Sequence, residues 1–567
     1  MGLDDLEISR TAKLVPIDGI ARGLGFREED IEPYGRSKAK IRLECEKHLG
    51  PQRARVVVVT AITPTPLGEG KTVTTVGLGQ ALRHVGASVV TCIRQPSAGP
   101  VFGIKGGAAG GGRSQVVPME DINLHLTGDI HAVGLAHNLL AAFIDNHLNQ
   151  GNDLRIIPDQ VLWGRVVDVN DRALRRVLVG LAPDCGPIRE SRFDIAVASE
   201  VMAVLALASS MTDLRDRLSR MIVAWRDPDS GRPVPVTAAD LRAAGAMAAL
   251  LREAIRPTLM QNMENGPAFI HCGPFGNIAH GNSSVIADRI ASRVSDIIVT
   301  EAGFASDLGF EKYVHVKTPA GGIPASAAVV VCTARALKAH SGLFRVRPGV
   351  PLDPGLANEN LAALETGLPN LGHHIRNVRG FGIPAVVAIN RFPFDTDAEI
   401  RRIHDYAIEA GATAAVESNV WAKGGAGGAD LAKAVLAAVA QGALARPHFA
   451  PDAPVEEKIR TVCAKVYNAK GVEFSAAAKK TLKQLGRMGL DRLAVSMAKT
   501  HLSTSHDPEL KGAPTGFTVP VREIRISAGA GFVVPLCGDV TTMPGLPSVP
   551  NGERIDIDAD GNITGLA

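Results

Sequence analysis

The run Val56-Val57-Val58-Val59-Thr60-Ala61-Ile62, then Thr63-Pro64-Thr65-Pro66-Leu67-Gly68-Glu69-Gly70, then Lys71-Thr72, decides the fold class. Four valines and an isoleucine with no polar alternation describe a strand buried on both faces, as parallel sheets make them. The Pro- and Gly-rich stretch ends that strand. A helical pattern follows from 71 to about 84 and stops at Gly86, and residues 87–93 read as a second strand. Taken from Thr65 the loop reads T-x-x-x-x-G-K-T, against the G-x-x-x-x-G-K-[ST] of phosphate-binding loops, so Thr65 stands where the first glycine belongs. Backbone N–H groups at a helix N-terminus cradle phosphate oxygens, a lysine at position 71 reaches the β- and γ-phosphates, and a threonine hydroxyl at 72 suits Mg2+. Thr65, Pro66, Leu67, Gly68, Glu69, Gly70, Lys71 and Thr72 are therefore the candidate ATP-binding residues. A glycine-rich turn that binds nothing is the alternative, and the flanking strand and helix argue against it.

Working outward, residues 296–300, 327–333 and 385–389 are further short β-branched runs bounded by polar or Gly/Pro punctuation. They alternate with helical stretches such as 399–410. The pattern predicts an α/β fold with a doubly wound, mostly parallel sheet around a P-loop nucleotide-binding core. About 200 residues separate the second strand from the third, far beyond a crossover of a dozen or so residues, so a large, mainly helical insertion at approximately 115–290 is expected. Helical patterns at 200–209 and 238–254 supply it. A proline-rich break at 446–454 precedes a smaller α/β C-terminal unit. The expected division is 1–365, 366–450 and 451–567.

Composition narrows the function. With 567 residues the chain exceeds one hydrophobic core. Lys and Arg number 61 and Asp and Glu 58, a formal net charge of +3, so neither nucleic acid nor an anionic membrane is an expected partner. Aromatics are 4%, too few for a base-stacking surface. The seven cysteines are scattered without a C-x-x-C pair, which fits a reducing cytoplasm rather than a disulfide framework or a zinc cage. No run approaches 18 uninterrupted apolar residues; the best, 434–445, is alanine-rich and reads as a helix.

Glu301 ends the 296–300 strand, and strand C-termini face the ligand crevice of a doubly wound sheet, so it is a candidate for metal or substrate. A solvated strand end is equally consistent. Asn390, ending the 385–389 strand, is either a base reader or a turn former. His125, His131 and His137 recur every six residues, share no helical face, and read as structural.

Gly103-Ile104-Lys105-Gly106-Gly107-Ala108-Ala109-Gly110-Gly111-Gly112 carries too many glycines for helix or strand and predicts a loop that lets backbone approach closely. With QVVPMEDINLHLTGDIHA just after it, the block resembles the signature of the formate–tetrahydrofolate ligases. The resemblance continues in register through TPTPLGEGKT, VASEVMA (197–203), GPFGNIAHGNSS (273–284), TEAGFASDLG (300–309), VVVCTARALKAHSG (329–342), AINRFP (388–393), VWAKGGAGG (420–428) and SAGAGFVVPLCGDVTTMPGLP (527–547).

The resemblance implies ATP-dependent formylation of tetrahydrofolate at N10 by formate, through formyl phosphate. It makes Lys71 the phosphate-loop lysine, Arg94 the grip on formyl phosphate and Asp129 a residue of the transfer step, plausibly taking the N10 proton. It makes Phe392 and Trp421 the faces of a pterin sandwich, with Gln95 and Phe304 beside them. Without it, Arg94 would be read as a surface ion pair, Asp129 as a helix cap, and both aromatics as core. It further implies Mg2+, with Thr72 and Glu301 as its side-chain candidates, a monovalent cation (K+ or NH4+) and a homotetramer, and it makes 366–450 a folate-binding region. Several positions depart from the family pattern: Gln95 for Glu, Arg113 for Tyr, Phe394 for Thr, Ala426 for Glu, and Leu502 and His506 for Tyr and Asp. The departures gather on the pterin side. They leave open a ligase for another folate or amine acceptor, or a nucleotide- or folate-binding protein without turnover.

Overall fold

The computed structural model describes residues 3–66, 68–104, 108–228, 233–344, 346 and 353–566. Among them, the main path of a twelve-stranded central sheet runs through β1 (Ile31–Tyr34), β2 (Lys38–Ile41), β3 (Arg55–Ala61), β4 (Val89–Ile93), β5 (Thr258–Asn262), β6 (Pro267–Ile270), β7 (Ile297–Glu301), β8 (Ala325–Cys332), β9 (Ala385–Asn390) and β10 (Ala414–Ser418), and a short hairpin of Gly110–Gly111 and Ser114–Val117, which takes the end of the glycine block into a strand rather than a loop, joins it at β5. Their spatial order is β1-β2-β5-β6-β4-β7-β3-β8-β9-β10. From β6 to β10 every pairing is parallel. The β1-β2-β5-β6 edge is antiparallel.

The valine run shows why the sheet is covered on both faces. Val56 and Val58 belong to one apolar core, whereas Val57 and Val59, pointing the other way, belong to a second. Helix α1 (Lys71–His84) and helix α5 (Ala429–Val439) bury Leu78, Ala81, Leu82, Leu431 and Val435 in the second core. Helix α3 (Val285–Val294) and helix α4 (Leu361–Gly380) bury Ile286, Ile290, Leu364, Leu368, Leu371 and Ile375 in the first.

Some expectations shift in detail. β3 and β4 are not neighbours, because β7 lies between them. The apolar stretch at 434–445 is helical only to Val439; beyond it Ala445 N–H donates to Ala325 O at 2.8 Å and the chain runs along the sheet. The 115–290 stretch holds helix α2 (Asp129–Asn149) but also short sheets, and its end returns to the central sheet as β5 and β6. The hairpin turn at Asn262–Gly266, where Asn265 has φ 58°, explains that return: it reverses the chain into the antiparallel edge. His137 is structural as expected, stacked on Trp163 with centroids 4.2 Å apart and bonded to Ser199 Oγ at 2.8 Å.

Candidate functional site

Parallel strands β4, β7 and β3 lie side by side, so the residues just beyond their C-terminal ends converge. Lys71 opens α1, directly after the β3 loop, and its Nζ donates to the Ala302 carbonyl at 2.5 Å. Thr72 Oγ1 donates to Glu301 Oε2 at 3.0 Å. From the end of β4, Arg94 Nη2 approaches Glu301 Oε1 at 3.4 Å and its Nη1 donates to Pro274 O at 3.1 Å. Glu301 is thus the joint between the start of α1 and Arg94. Burial pushes its carboxyl up, but the Lys71 and Arg94 charges and the Thr72 hydroxyl outweigh that and hold it below the usual carboxylate range. An ionised carboxylate beside a threonine hydroxyl is an oxygen donor pair suited to Mg2+, which takes one or two protein oxygens and completes its shell with water and phosphate. Arg94 Nε is buried without a partner, so part of the guanidinium remains to be satisfied.

The loop between β3 and α1 is braced by side chains. Gly68 and Gly70 have φ of 72° and 73°, the left-handed region. Glu69 Oε1 accepts from Thr65 N–H at 2.7 Å and from Thr65 Oγ1 at 2.9 Å. Burial raises the Glu69 carboxyl to about 7, against those bonds and the Lys71 charge. Asn390, weighed above as a base reader, instead donates from Nδ2 to the Glu69 carbonyl at 3.2 Å. A Cβ on Gly70 would lie 2.3 Å from that Nδ2. Leu67 lies outside the described residues; Thr65, Pro66, Gly68, Glu69, Gly70, Lys71 and Thr72 form the loop as expected.

Just before the loop, Thr63 enters a buried polar network. Its N–H donates to Asn370 Oδ1 at 3.1 Å, its Oγ1 meets His374 Nε2 at 3.0 Å, and its carbonyl meets His340 Nε2 at 2.7 Å. Asn370 Nδ2 also donates to Gly512 O at 2.6 Å, tying in the C-terminal segment.

Asp129 opens α2 on the antiparallel edge, where both its oxygens accept from Lys40 Nζ, at 2.7 and 2.6 Å. The pair is buried, with side-chain exposures of 2% for Asp129 and 0% for Lys40. Burial raises the Asp129 carboxyl and the Lys40 bonds oppose it; the net direction is upward. This carboxylate is therefore held by a lysine rather than free as a helix cap.

Trp421 and Phe392 follow the neighbouring strands β10 and β9. Trp421 is 51% exposed, an unusual position for so large an apolar surface. Its carbonyl accepts from Arg113 N–H at 2.7 Å, and a Cβ on Gly112 would lie 2.2 Å from that carbonyl, so the glycine block is needed for this close approach. Residues 105–107 of the block lie outside the described residues. Phe392 stacks on Phe394, with centroids 5.7 Å apart and planes at 17°, while the Arg335 guanidinium sits 4.4 Å above the Phe392 ring. Phe304 has φ 60°, a strained conformation for an aromatic residue, and stacks on His501 at 4.7 Å. Gln95 is 2% exposed and its Oε1 has no partner.

Sequence reasoning missed Arg335, Lys40 and the Thr63 network. Arg335 was findable, since it stands three residues beyond the end of a parallel strand. Lys40 carried a weaker signal, a lysine between apolar residues of a short strand. The Thr63 network joins segments hundreds of residues apart and had none.

The formate–tetrahydrofolate ligase family model matches residues 3–567. A formate–tetrahydrofolate ligase of Roseiflexus sp. (strain RS-1) is 55% identical over 567 residues, covering 100% of both chains. Those of Desulforamulus reducens and Paracoccus denitrificans are each 52% identical over 564 residues, covering 99% of both chains in each case. Among the described residues no helix is long and apolar enough to cross a membrane. Matched from end to end by the family's pattern and by its members, the chain belongs to the formate–tetrahydrofolate ligases and is an enzyme of that family.

Proposed function

We propose that the protein formylates tetrahydrofolate at N10 with formate and ATP, through formyl phosphate, releasing ADP and phosphate. The single observation that carries this reading is the convergence of Lys71, Thr72 and Arg94 on Glu301 and Ala302. Formate is an anion and a poor electrophile. Moving the γ-phosphoryl onto a formate oxygen makes a mixed anhydride with a good leaving group, which divides one hard step into two easier ones. Lys71 and the loop amides hold the phosphates, and Arg94, a planar fork with an unspent Nε, holds formate and then formyl phosphate beside them. Thr72 and Glu301 would hold Mg2+, which supplies charge neutralisation at the transferring phosphoryl group when bound.

In the second step N10 attacks the formyl carbon, phosphate leaves, and the nitrogen loses its proton. Asp129 serves this step, with Lys40 setting its charge. Trp421 and Phe392 offer flat faces to the pterin. Gln95, through its free Oε1, accepts from the ring's N–H groups, and Phe304 packs at the same end.

A monovalent cation, a homotetramer, a cytoplasmic location and the division at 365/366 and 450/451 belong to the same proposal. An ADP-release assay tests its core. Sustained ADP release should need formate and tetrahydrofolate together, whereas formate and MgATP alone should give no more than one ADP per site, and hydroxylamine should trap the acyl phosphate formed with it. ADP release that is indifferent to tetrahydrofolate would overturn the acceptor. Failure to release ADP under any combination would overturn the reaction.

A further inference from the structure

A phosphate loop normally opens on a glycine, whose backbone freedom lets the chain turn around the phosphate. Here Thr65 stands at that position. Glu69, four residues on, receives two bonds from Thr65, 2.7 Å from its N–H and 2.9 Å from its hydroxyl, and is 7% exposed. The peptide of Glu69 is in turn held from outside the loop, where Asn390 Nδ2 meets its carbonyl at 3.2 Å. The opening of the loop is thus tied to its close by a side chain, and its close is tied to strand β9.

We propose that Glu69 is a positioning residue of the phosphate loop: its carboxylate, bonded to Thr65, does the work of the missing first glycine. The inference rests on the nucleotide reading of the loop. Glu69 need not touch nucleotide; it fixes the loop so that the amides from Gly68 to Thr72 are aligned before phosphate arrives, which lowers the ordering cost of binding. Both bonds terminate on Oε1, so a glutamine, which keeps a carbonyl oxygen at that atom, preserves them. Alanine removes both. Valine at position 65 removes the hydroxyl bond and leaves the N–H bond.

The experiment measures MgADP affinity by titration calorimetry on the full chain, with tetrahydrofolate affinity and the thermal midpoint measured alongside. Glu69→Ala should weaken MgADP at least tenfold and leave tetrahydrofolate within twofold of the parent. Glu69→Gln should stay within threefold of the parent for both ligands. Thr65→Val should weaken MgADP three- to fivefold, and its loss should be smaller in the Glu69→Ala background, because the bond the two residues share has already gone.

Losses that add in full, or a Glu69→Ala protein that binds MgADP as the parent does, overturn the proposal. Should Glu69→Ala fail to fold, Thr65→Val alone decides: unchanged MgADP affinity overturns the inference. Lys71→Ala separates this inference from the reading beneath it. If Lys71→Ala binds MgADP normally, the nucleotide reading falls. If it loses MgADP while Glu69→Ala and Thr65→Val do not, only the brace falls.

Discussion

The two sides of the proposed site, one for the nucleotide and one for the acceptor, are built on opposite plans. On the nucleotide side, Lys71 is bonded to the Ala302 carbonyl and Thr72 and Arg94 to Glu301, all within 3.4 Å, and Thr65, Glu69 and Asn390 lock the loop. On the acceptor side, Trp421 is half exposed, Phe394 is 40% exposed, and Gln95 Oε1 has no partner. Phosphoryl transfer asks for fixed charge at a fixed place, which favours a preorganised, internally bonded cluster. A flat ring system is held by broad faces and a few polar atoms, so its surface stays open until the ligand arrives. The difference teaches where this chain can tolerate change: Phe394 and Ala426, two of the positions at which the resemblance marks a departure, are exposed.

The largest expected effect is on the closed side. Lys71→Ala removes the charge opposing the β- and γ-phosphates, and loss of such an interaction in a dry site costs a hundredfold or more, on the order of 3 kcal/mol. Hydroxylamine trapping with formate and MgATP should fall accordingly. Retention of a tenth of the parent's trapping would sink the assignment of Lys71 and, with it, the contrast between the two sides.

Asp129 comes next, because the proposed role in transfer ties a buried pair to one step of the reaction. Asp129→Asn should still let formate be phosphorylated yet transfer the formyl group poorly, whereas Arg94→Ala should lose trapping itself. The geometry adds a second consequence. Asp129→Asn leaves the Lys40 ammonium buried beside a neutral group, which costs about 3–5 kcal/mol in comparable pairs. The unfolding midpoint should drop, and Lys40→Met together with Asp129→Leu should recover the midpoint without recovering transfer. If the double variant transfers normally from supplied formyl phosphate, Asp129 is structural only.

How much of this was legible depended on how far apart the cooperating residues lie in the chain. The valine run and the loop after it are contiguous, and a contiguous pattern exposes its elements; β3, the turn after it and α1 were readable residue by residue. Glu301 was readable through the strand-end rule. By contrast, the Lys40–Asp129 pair spans 89 positions and the Asn370–Thr63 bond 307, and no local period connects such residues. Strand order was equally hidden: β7 enters between β3 and β4 from more than 200 residues downstream, and only the assembled sheet reveals it. Phe392 and Phe394 alternate along the chain like residues of a solvated loop, and their stacking under Arg335 depends on a strand end elsewhere.

The Thr63 network makes the closed side sensitive to acid. Burial pulls His340 down to about 4 and His374 to about 3, against an unfolded value near 6.5. Below about pH 6.5 the unfolded chain takes up protons that the folded network refuses, so this part of the stability is complete above that pH and is lost as pH falls toward 4. Each histidine contributes a slope approaching about 1.4 kcal/mol per pH unit in that window. The thermal midpoint should decline between pH 7 and pH 5, with MgADP affinity declining alongside as Thr63 loses its partners. His374→Gln should flatten the decline; an unchanged pH profile in that variant would separate the network from the acid response.

The smallest effects, a few-fold, belong to the open side and sharpen the comparison most. A glutamine at 95 offers a neutral acceptor where a glutamate would offer a charged one, and a neutral hydrogen bond is about half as strong. Ala426 is exposed on the Gly424–Gly428 turn, where Glu264 already caps Gly425 N–H at 2.8 Å, so a carboxylate there is replaced only in part. Phe394 adds a ring face stacked on Phe392 and lying 5.8 Å from the Arg335 guanidinium, which widens the apolar shelf beside the pterin position. A ring system with fewer donors than tetrahydrofolate suffers less from the first two changes and gains as much from the third. At saturating formate and MgATP, this enzyme should therefore have an ordinary KM for ATP, a raised KM for tetrahydrofolate, and better relative use of dihydrofolate than its relatives show. Gln95→Glu with Ala426→Glu should lower the tetrahydrofolate KM, and Phe394→Thr should weaken dihydrofolate and tetrahydrofolate alike, with the KM for ATP fixed throughout. If the double reversion and Phe394→Thr leave both folates unchanged, the open side is tolerant rather than tuned, and the departures there carry no preference for a substrate.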